Sequence, residues 1–541
     1  MSSTFDVIVV GAGSAGCVVA NRLSEDAGLS VLVLEAGGGD GHPLIRMPLG
    51  FLQALRKPRF TWGYESEPEA EMHGRRLPVP RGKLLGGSSS INGMIHIRGH
   101  QLDFDDWARA GCTGWSWAEV LPYFRRSESH WRGASDHHGG DGPLHVREVD
   151  TRHLLFEPLR AAAEAAGHRW IPDYDTGNPE GLARATVALD RRGRRHSTAR
   201  AFLLPAAKRP NLTIRTQALV QRVRIENGRA VGVEYVHNGQ RHVAMARREV
   251  VLSGGAYNSP KLLMLSGVGD GNDLQQHGIA VQHHLPGVGR NLIEHPRMGL
   301  HFRAREPVTF TNELRWDRAA RSVLRWALFG TGPFANQICS GTIALKTRPE
   351  LDRPDFQLLC SPVQIDAHTW FPGLRAPKPH GFYVTACQLY AKSRGHVRLR
   401  SARPDDAPRI TLNLLSDPDD IRNMIDGVRA ARAVFAQPAQ ARYVACETLP
   451  GDDCTSDADL ERAIREHCGI THHPVGTCAM GPGGTAVVDP QLRVHGIVGL
   501  RVADASIMPS IVGGNTNAAS IMIGEKAADL IRGKTLPAAQ L

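Results

Sequence analysis

The chain has 541 residues, enough for several domain-sized units and a large core. Hydrophobic residues make up 42% and charged residues 22%, an ordinary globular composition that excludes disordered and fibrous proteins. Lysine and arginine (64) outnumber aspartate and glutamate (54), which gives a net charge of +10. The basic clusters are short and carry no docking motif, so we do not expect nucleic-acid binding.

Nine cysteines form no CxxC pair, and an odd number without a tight framework is typical of a reducing compartment. Met1–Thr4 runs into an apolar segment with neither a basic leader before it nor a cleavage site after it. No stretch approaches about 18 uninterrupted apolar residues, the length of a membrane-spanning helix. We therefore expect a cytoplasmic protein, and peripheral contact with the inner face of a membrane stays open.

The first predicted element is a buried strand at Asp6–Val10, a continuous apolar and β-branched run. It leads into the GxGxxG motif at Gly11–Gly16, which is followed by apolar residues at helical spacing. A second apolar run, Val31–Leu34, ends at the acidic Glu35. Strand, glycine turn, helix, strand and acid in this order form the complete fingerprint of a dinucleotide-binding unit.

Each residue of the fingerprint has a physical role. Gly11 allows the tight turn, Gly13 lets backbone N–H groups approach a pyrophosphate, and Gly16 lets the helix pack on the strand. Glu35 can accept hydrogen bonds from an adenosine ribose and would repel a 2′-phosphate, which argues against NADP. This unit alone does not distinguish NAD from FAD.

Two more glycine-rich stretches follow. Arg81–Met94 is rich in serine, and its N–H groups and hydroxyls could line the phosphates and the extended part of a long cofactor. Gly255–Gly269 comes after the strand-like run Val250–Leu252. Within it, Ser259 and Pro260 predict a helix that is capped by the serine and has the proline at its first position.

Together with His473–Thr477 and Gly514–Ala518, these stretches resemble the glucose–methanol–choline (GMC) family of FAD-dependent oxidoreductases. Residues 82–94 and 255–269 match the two family signatures. The resemblance extends from Asp6 to Arg532. Within the family, the chain is most similar to bacterial acceptor-dependent alcohol dehydrogenases and choline dehydrogenases, and flavin takes the place of NAD as the expected cofactor.

The resemblance implies an α/β fold with a Rossmann-like FAD-binding domain that is discontinuous in sequence. A second, α+β domain of antiparallel sheet plus helices would cover the flavin. The implied ranges are 1–150, 197–305 and 470–541 for the FAD-binding domain, and 151–196 and 306–469 for the substrate-binding domain. The segments 306–340 and Thr369–His380 are candidates for a lid or access loop.

The resemblance also implies which residues contact FAD. They come from every motif and are Gly11, Gly13, Ser14, Ala15, Gly16, Glu35, Ala36, Gly86, Gly87, Ser88, Asn92, Gly93, Met94, Ile95, Val220, Asp504, Ala505, Asn515, Thr516 and Asn517. Asp504 would act through its backbone or a bridging water. Some relatives attach FAD through a histidine just before the position of Asn92. Here that residue is Ile91, which has no nucleophile, so we expect non-covalent FAD.

For catalysis, the resemblance assigns His473 as the base and Asn515 as its partner, both facing flavin N5. The chemistry agrees, because a histidine can take a hydroxyl proton near neutral pH and an amide can fix the alcohol oxygen. The hydride would then pass from the carbinol carbon to flavin N5. Two alternatives stay open: His472 could be the base, and Asn515 and Asn517 could simply be helix caps.

The expected substrate is a primary, uncharged aliphatic or aryl alcohol. Close relatives carry a glutamate where this chain has Cys339, and a choline-type enzyme would need a carboxylate beside the buried cation. Choline dehydrogenase or oxidase activity, a flavin-containing hydroxynitrile lyase that uses the same His473, and a non-catalytic dinucleotide-binding protein are the alternatives. The electron acceptor (oxygen, quinone or cytochrome) and the oligomeric state are not indicated. Cys468 and His472 lack further ligands at zinc spacing, so no metal site is predicted.

Overall fold

The structure is a computed structural model that describes residues 3–540. Its strands are β1 (Ser3–Val10), β2 (Val31–Leu34), β3 (Glu128–His130), β4 (Leu144–Glu148), β5 (Gly181–Ala183), β6 (Thr186–Ala188), β7 (Leu212–Arg215), β8 (Ala218–Glu226), β9 (Arg229–His237), β10 (Gln240–Leu252), β11 (Val268–Gly269), β12 (His283–His284), β13 (Pro296–Ala304), β14 (Gly341–Leu345), β15 (Phe356–Ser361), β16 (Gly381–Gln388), β17 (His396–Arg398), β18 (Arg409–Thr411), β19 (Val444–Leu449), β20 (Gly469–Ile470) and β21 (Leu500–Val502).

The α-helices are α1 (Ser14–Leu23), α2 (Pro43–Arg46), α3 (Phe51–Ala54), α4 (Gln101–Arg109), α5 (Trp117–Ser127), α6 (Phe156–Ala165), α7 (Leu204–Ala206), α8 (Gly255–Leu265), α9 (Gly271–Gln276), α10 (Trp316–Phe329), α11 (Pro418–Phe435), α12 (Pro438–Ala441), α13 (Asp457–His467) and α14 (Asn517–Ile531). None of the helices within residues 3–540 is both long and apolar enough to cross a membrane.

The first sheet has the strand order β7-β2-β1-β10-β9-β8, with β21 beside β10. Strands β7, β2, β1, β10 and β21 run parallel, whereas β8 and β9 form an antiparallel extension. The predicted strands at Asp6–Val10 and Val31–Leu34 are confirmed as parts of β1 and β2. Every residue of β2 is buried, which explains its continuous apolar sequence, because a central parallel strand is covered on both faces.

The second sheet is antiparallel, with the order β14-β15-β16-β13-β19 and β20 beside β13. Helix α11 packs closely on it, since a Cβ on Gly427 would lie 2.0 Å from the ring of Phe356. The α/β fold class with a second, antiparallel unit is thereby confirmed. Strand β13, which the sequence division places at the end of the segment 197–305, pairs within this second sheet. The remaining domain boundaries stay a prediction.

Helix α8 begins at Gly255, and the predicted start at Ser259 and Pro260 is wrong. Pro260 lies inside the helix, where its missing N–H leaves the carbonyl of Ala256 without its usual partner. The hydroxyl of Thr477 donates to that carbonyl at 2.6 Å and replaces the lost hydrogen bond. A proline is therefore tolerated here because a residue 221 positions away supplies the missing donor.

Candidate active site

The site lies where the parallel strands of the first sheet end. The last residue of β1 pairs with the last residues of β2 and of β10, and the last residue of β10 pairs with that of β21. Gly11, Glu35, Ser253 and Ala503 therefore begin their loops side by side at one edge. The carboxyl ends of parallel strands are where α/β sheets bind ligands.

The glycines of two motifs press backbone against backbone. A Cβ on Gly11, whose φ is +99°, would lie 2.5 Å from the carbonyl oxygen of Ser253. A Cβ on Gly16 would lie 2.0 Å from the carbonyl oxygen of Gly11, so this glycine lets α1 pack on the strand. A Cβ on Gly87 would lie 2.8 Å from the Cα of Gly13. The two glycine-rich stretches, distant in sequence, thus meet without room for side chains.

Glu35 presents a buried carboxylate at the end of β2. One oxygen accepts from the backbone N–H of Ala12 at 3.0 Å and the other from that of Gly37 at 2.8 Å. Burial raises the pKa of Glu35 to about 7, although these two N–H groups and Lys83 act in the opposite direction. The N–H groups hold the carboxylate in one orientation, with lone pairs left for a pair of ribose hydroxyls.

One continuous cavity runs from this carboxylate to the histidines of the C-terminal motif. The predicted site residues that line it are Gly11, Gly13, Ser14, Ala15, Glu35, Ala36, Gly87, Ser88, Asn92, Gly93, Met94, Ile95, Val220, His473, Asp504, Ala505, Asn515, Thr516 and Asn517. Gly16 and Gly86 are not part of the lining. Gly86 instead donates its N–H to the carbonyl of Ala12 at 2.7 Å and supports the wall from behind.

Not every hydroxyl of the serine-rich stretch faces the cavity. Ser89 donates to the carbonyl of Gly86 at 2.6 Å, and Ser90 donates to that of Leu85 at 2.7 Å. These two side chains stabilise the short turn that they belong to. The expectation that the serine hydroxyls line the phosphates therefore does not hold for Ser89 and Ser90, whereas Ser88 does line the cavity.

The Asp504 carboxylate is engaged at the start of α8. It accepts from the N–H of Gly255 at 2.8 Å, the hydroxyl of Ser259 at 2.6 Å and the N–H of Ser506 at 2.8 Å. Burial raises the pKa of Asp504, and these hydrogen bonds oppose the rise. Since its side chain holds two loops together, the backbone of Asp504 is the part that is free to face a cofactor.

A short loop after β20 positions His473. His472 adopts a left-handed conformation with φ of +67°, and Pro474 follows His473 directly. The backbone N–H of His473 donates to Oε1 of Glu294 at 2.6 Å. Burial raises the pKa of Glu294 to about 7. The chain around His473 is therefore held by a buried carboxyl from the loop that enters β13.

The hydrogen bonds of the His473 ring define its tautomer. The side-chain amide of Asn515 donates to Nε2 of His473 at 3.1 Å, so this nitrogen carries the lone pair. The proton of the neutral ring then sits on Nδ1, which lies 3.0 Å from Nδ1 of His295 and 3.0 Å from the hydroxyl oxygen of Thr471. The ring presents an unprotonated Nε2 beside Asn515.

Electrostatics keep this ring neutral. Burial lowers the pKa of His473 well below its ordinary value, and the charge of Arg81 acts in the same direction, as do His295 and His472 when they are protonated. A histidine with a lowered pKa is unprotonated at neutral pH and can accept a proton.

Asn515 and Asn517 lie at the start of α14, as predicted from the sequence. Asn517 accepts a hydrogen bond from the hydroxyl of Ser14 at 2.7 Å, which joins the C-terminal motif to the first glycine turn. Oδ1 of Asn515 is buried without a partner among the described residues. Nδ2 of this amide therefore donates to His473, and Oδ1 is available to accept a hydrogen bond from a ligand.

Sequence reasoning missed Glu294, His295 and Thr471, which surround His473. One signal was available, because His295 precedes a proline in the same way as His473 does. The two His-Pro pairs come together because β13 pairs with β20, next to both histidines. That long-range pairing is not visible in the sequence.

The second sheet forms one wall of the cavity. Residues of this wall come from β15, from β16 and from neighbouring segments and are Gln337, Ile338, Cys339, Leu359, Ser361, Ile365, Tyr383 and Thr385. Among the described residues that line the cavity, Glu35 and Asp504 are the carboxylates, and both lie at the dinucleotide end. The part of the wall that comes from the second sheet consists of neutral side chains, whereas the guanidinium of Arg81 lies near the histidines and donates to the carbonyl of His472 at 2.8 Å.

The sequence model of the GMC oxidoreductase family matches residues 5–297 in its N-terminal part and residues 391–524 in its C-terminal part. The chain is 43% identical over 533 residues to the oxygen-dependent choline dehydrogenase of Rhizobium rhizogenes, a match that covers 98% of this chain and 96% of the relative. It is also 43% identical to the enzyme of that name from Cronobacter sakazakii, with 98% and 95% covered. The chain belongs to the GMC oxidoreductase family.

Solved structures agree with this assignment. Pyridoxine 4-oxidase from Mesorbium loti superposes with a TM-score of 0.87 at 30% identity and covers 97% of this chain and 98% of its own. A variant of Aspergillus oryzae formate oxidase gives a TM-score of 0.91 at 29% identity, with 98% of each chain covered. The protein is an FAD-binding oxidoreductase of this fold.

The residues present fit FAD. Bare glycine backbone and a helix N-terminus suit a pyrophosphate, and the buried Glu35 suits a ribose. The cavity continues from there past Asn92 and Met94 to His473, so a long dinucleotide can extend along it.

Proposed function

We propose that the protein oxidises a primary, uncharged aliphatic or aryl alcohol to the aldehyde. The observation that carries this proposal is the paired geometry of His473 and Asn515 in a cavity whose second-sheet wall is neutral and whose nearby charged side chain, Arg81, is a cation. FAD, when bound, supplies the hydride acceptor for the oxidation. The residues of the chain supply the proton transfer and the positioning of the substrate.

His473 accepts the hydroxyl proton at Nε2. Its lowered pKa keeps that nitrogen unprotonated, and the contacts of Nδ1 with His295 and Thr471 orient the ring. As the ring becomes protonated, the buried carboxyl of Glu294, which accepts from the backbone N–H of His473, can offset the new charge. The second N–H of the Asn515 amide can donate to the substrate oxygen beside Nε2 and stabilise the negative charge that develops there.

Choline is the second candidate substrate, because the curated relatives at about 43% identity are named choline dehydrogenases. The relatives' names favour choline over a neutral alcohol as the substrate. The neutral wall that the second sheet forms favours a neutral alcohol. Cys339 lines this wall as a buried thiol, and burial raises its pKa to about 12, so it stays uncharged. A quaternary ammonium group buried there would have no carboxylate partner in the described lining, which is costly.

Choline and 3,3-dimethylbutan-1-ol form a matched pair for the test, since carbon replaces the charged nitrogen at the same shape. FAD-loaded protein would be mixed with each alcohol without oxygen, and the bleaching of the flavin would be followed. We expect faster bleaching with the neutral alcohol. Faster bleaching with choline would reject the uncharged substrate and leave the role of His473 intact.

Cys339→Glu would sharpen this comparison. A carboxylate about 4 Å from the cation contributes about 4 kcal/mol at an effective dielectric constant of about 20, so the preference should move toward choline by up to about 1,000-fold. Cys339→Gln is the matched control, because it has the same size and no charge.

The same FAD-loaded protein tests how the cofactor is attached and whether the protein is a lyase. We propose that FAD is bound non-covalently, since Ile91 occupies the wall with an apolar side chain. Acid precipitation should therefore leave all the flavin in the supernatant. Bleaching by an alcohol would exclude a hydroxynitrile lyase, which has no need to reduce its flavin.

A further inference from the structure

Helix α10 carries apolar side chains on its outer side. Its inner face is formed by the buried residues Ala319, Ser322 and Trp326. On the outer side, Leu324 is 59% exposed and Leu328 is 65% exposed. Together with Trp316, Ala320 and Ala327, which are also exposed, these residues recur at helical spacing and form one continuous apolar stripe. A continuous exposed apolar surface marks an interaction site.

The loop 371–375 extends this stripe. The ring of Phe371 stacks on that of Trp316 with centroids 5.6 Å apart, and the N–H of Trp316 donates to the carbonyl of Trp370 at 2.9 Å. Leu374, at the tip of the loop, is 72% exposed, and so is Phe329 at the end of α10. Helix and loop thus form one surface, which we call the α10 face.

A basic stripe adjoins the apolar one. Arg318, Arg321 and Arg325 recur at spacings of three and four residues, next to the exposed leucines. None of the three forms an ion pair with a residue of the described range 3–540. The acid in α10, Asp317, is paired with Arg315 at 2.6 Å.

We propose that the α10 face docks on the surface of an anionic lipid bilayer. Helices that lie in a membrane interface combine an apolar face with flanking arginines, whose long stems reach the headgroups while the apolar side chains enter the acyl boundary. A second copy of the chain fits this face less well, because a two-fold contact with antiparallel α10 helices would bring the arginine stripes of both copies to the same side. The net charge of +10 favours an anionic surface as well.

The face is joined directly to the walls of the cavity. Eight residues after Phe329, the chain reaches Gln337, and the segment 337–339 lines the same cavity as His473. On the other side, Ser361 and Ile365 line the cavity and lead into the 371–375 loop. Docking would therefore place the outer ends of two wall segments against lipid. The proposal does not depend on which alcohol is oxidised.

Vesicle flotation of the FAD-loaded protein tests the apolar part of the proposal. Vesicles of phosphatidylcholine alone are compared with vesicles that also contain phosphatidylglycerol. We expect binding to the anionic vesicles at low salt, and its loss in the triple variant Leu324→Ser/Leu328→Ser/Phe329→Ser. Val498→Ser removes a side chain that is 60% exposed elsewhere and should bind as the parent does. Absence of binding to the anionic vesicles would overturn the proposal.

A second triple variant, Arg318→Gln/Arg321→Gln/Arg325→Gln, tests the charge. Each arginine near an anionic surface is worth about fivefold in affinity, so roughly 100-fold should be lost. The matched control removes three exposed arginines of β10 at positions 241, 247 and 248 and should bind nearly as the parent does.

Equal losses in both arginine variants would overturn the proposal in favour of attraction by net charge alone. Light scattering would show a dimer if a second copy covered the face. A dimer that the serine variant dissociates, without vesicle binding, would also overturn it. Turnover with a soluble acceptor should be unchanged in every variant and shows that each one is folded.

Discussion

Replacing His473 by glutamine tests which group accepts the proton of the alcohol. Glutamine retains a polar side chain of similar reach but offers no lone pair of comparable basicity to the hydroxyl. A positioned general base contributes roughly 100-fold to 10,000-fold, which corresponds to about 3–5 kcal/mol of transition-state stabilisation. The structure places a single unprotonated ring nitrogen beside Asn515, so we expect the full loss to appear in the rate of flavin reduction.

His472→Gln is the matched control, since both histidines line the cavity and stand next to each other. Flavin reduction would be followed by rapid mixing without oxygen, after the FAD content of each variant is measured. Because burial lowers the pKa of His473, the wild-type rate should stay level as the pH falls through 6.5. A loss below about tenfold in His473→Gln, or an equal loss in His472→Gln, would refute the assignment of the base.

Three further predictions concern the cofactor site and stability. Glu35→Gln removes a charged acceptor for the ribose and should weaken FAD binding by roughly 10-fold to 100-fold, measured by titration of apoprotein. Gly16→Ala forces a Cβ to within 2.0 Å of the Gly11 carbonyl and should lower the free energy of unfolding by about 1–3 kcal/mol, whereas Gly38→Ala, with nothing within 4 Å, should not. Burial lowers the pKa of His196 from 6.5 to about 4, so the unfolded state binds more protons and stability falls as the pH drops through this range. Other buried histidines act in the same direction, so the loss measured by thermal unfolding should be smaller in His196→Gln by up to about 3 kcal/mol, and a loss equal to that of the parent would contradict the prediction.

Much of the dinucleotide unit was predictable, because each part of it is local. A buried strand, a turn that needs glycine and a helix that follows are encoded in fewer than about 30 successive residues. The predicted segments at Asp6–Val10 and Val31–Leu34 coincide with parts of β1 and β2. Asn515 and Asn517 were placed at a helix start by the apolar spacing that follows them, and α14 begins at Asn517.

Predictions from the local sequence were wrong or incomplete where a residue far away in the chain supplies a hydrogen bond. Ser259 and Pro260 have the sequence of a helix start, yet α8 continues through them, because Thr477 replaces the hydrogen bond that the proline removes. The sequence predicts Asp504 at the end of a strand. It does not predict that the Asp504 carboxylate accepts hydrogen bonds from Gly255 and Ser259.

The elements of the glycine-rich unit follow from the sequence, because turns, caps and apolar periods depend on neighbours along the chain, and the family resemblance implied the reacting pair. The tertiary structure alone decided the surroundings of His473. Strand pairing between β13 and β20 brings Glu294 and His295 to the histidine, although 178 positions separate the two histidines. The neutral wall from the second sheet and the exposed apolar stripe of α10 also depend on the tertiary structure, since the face that an element buries depends on what packs against it.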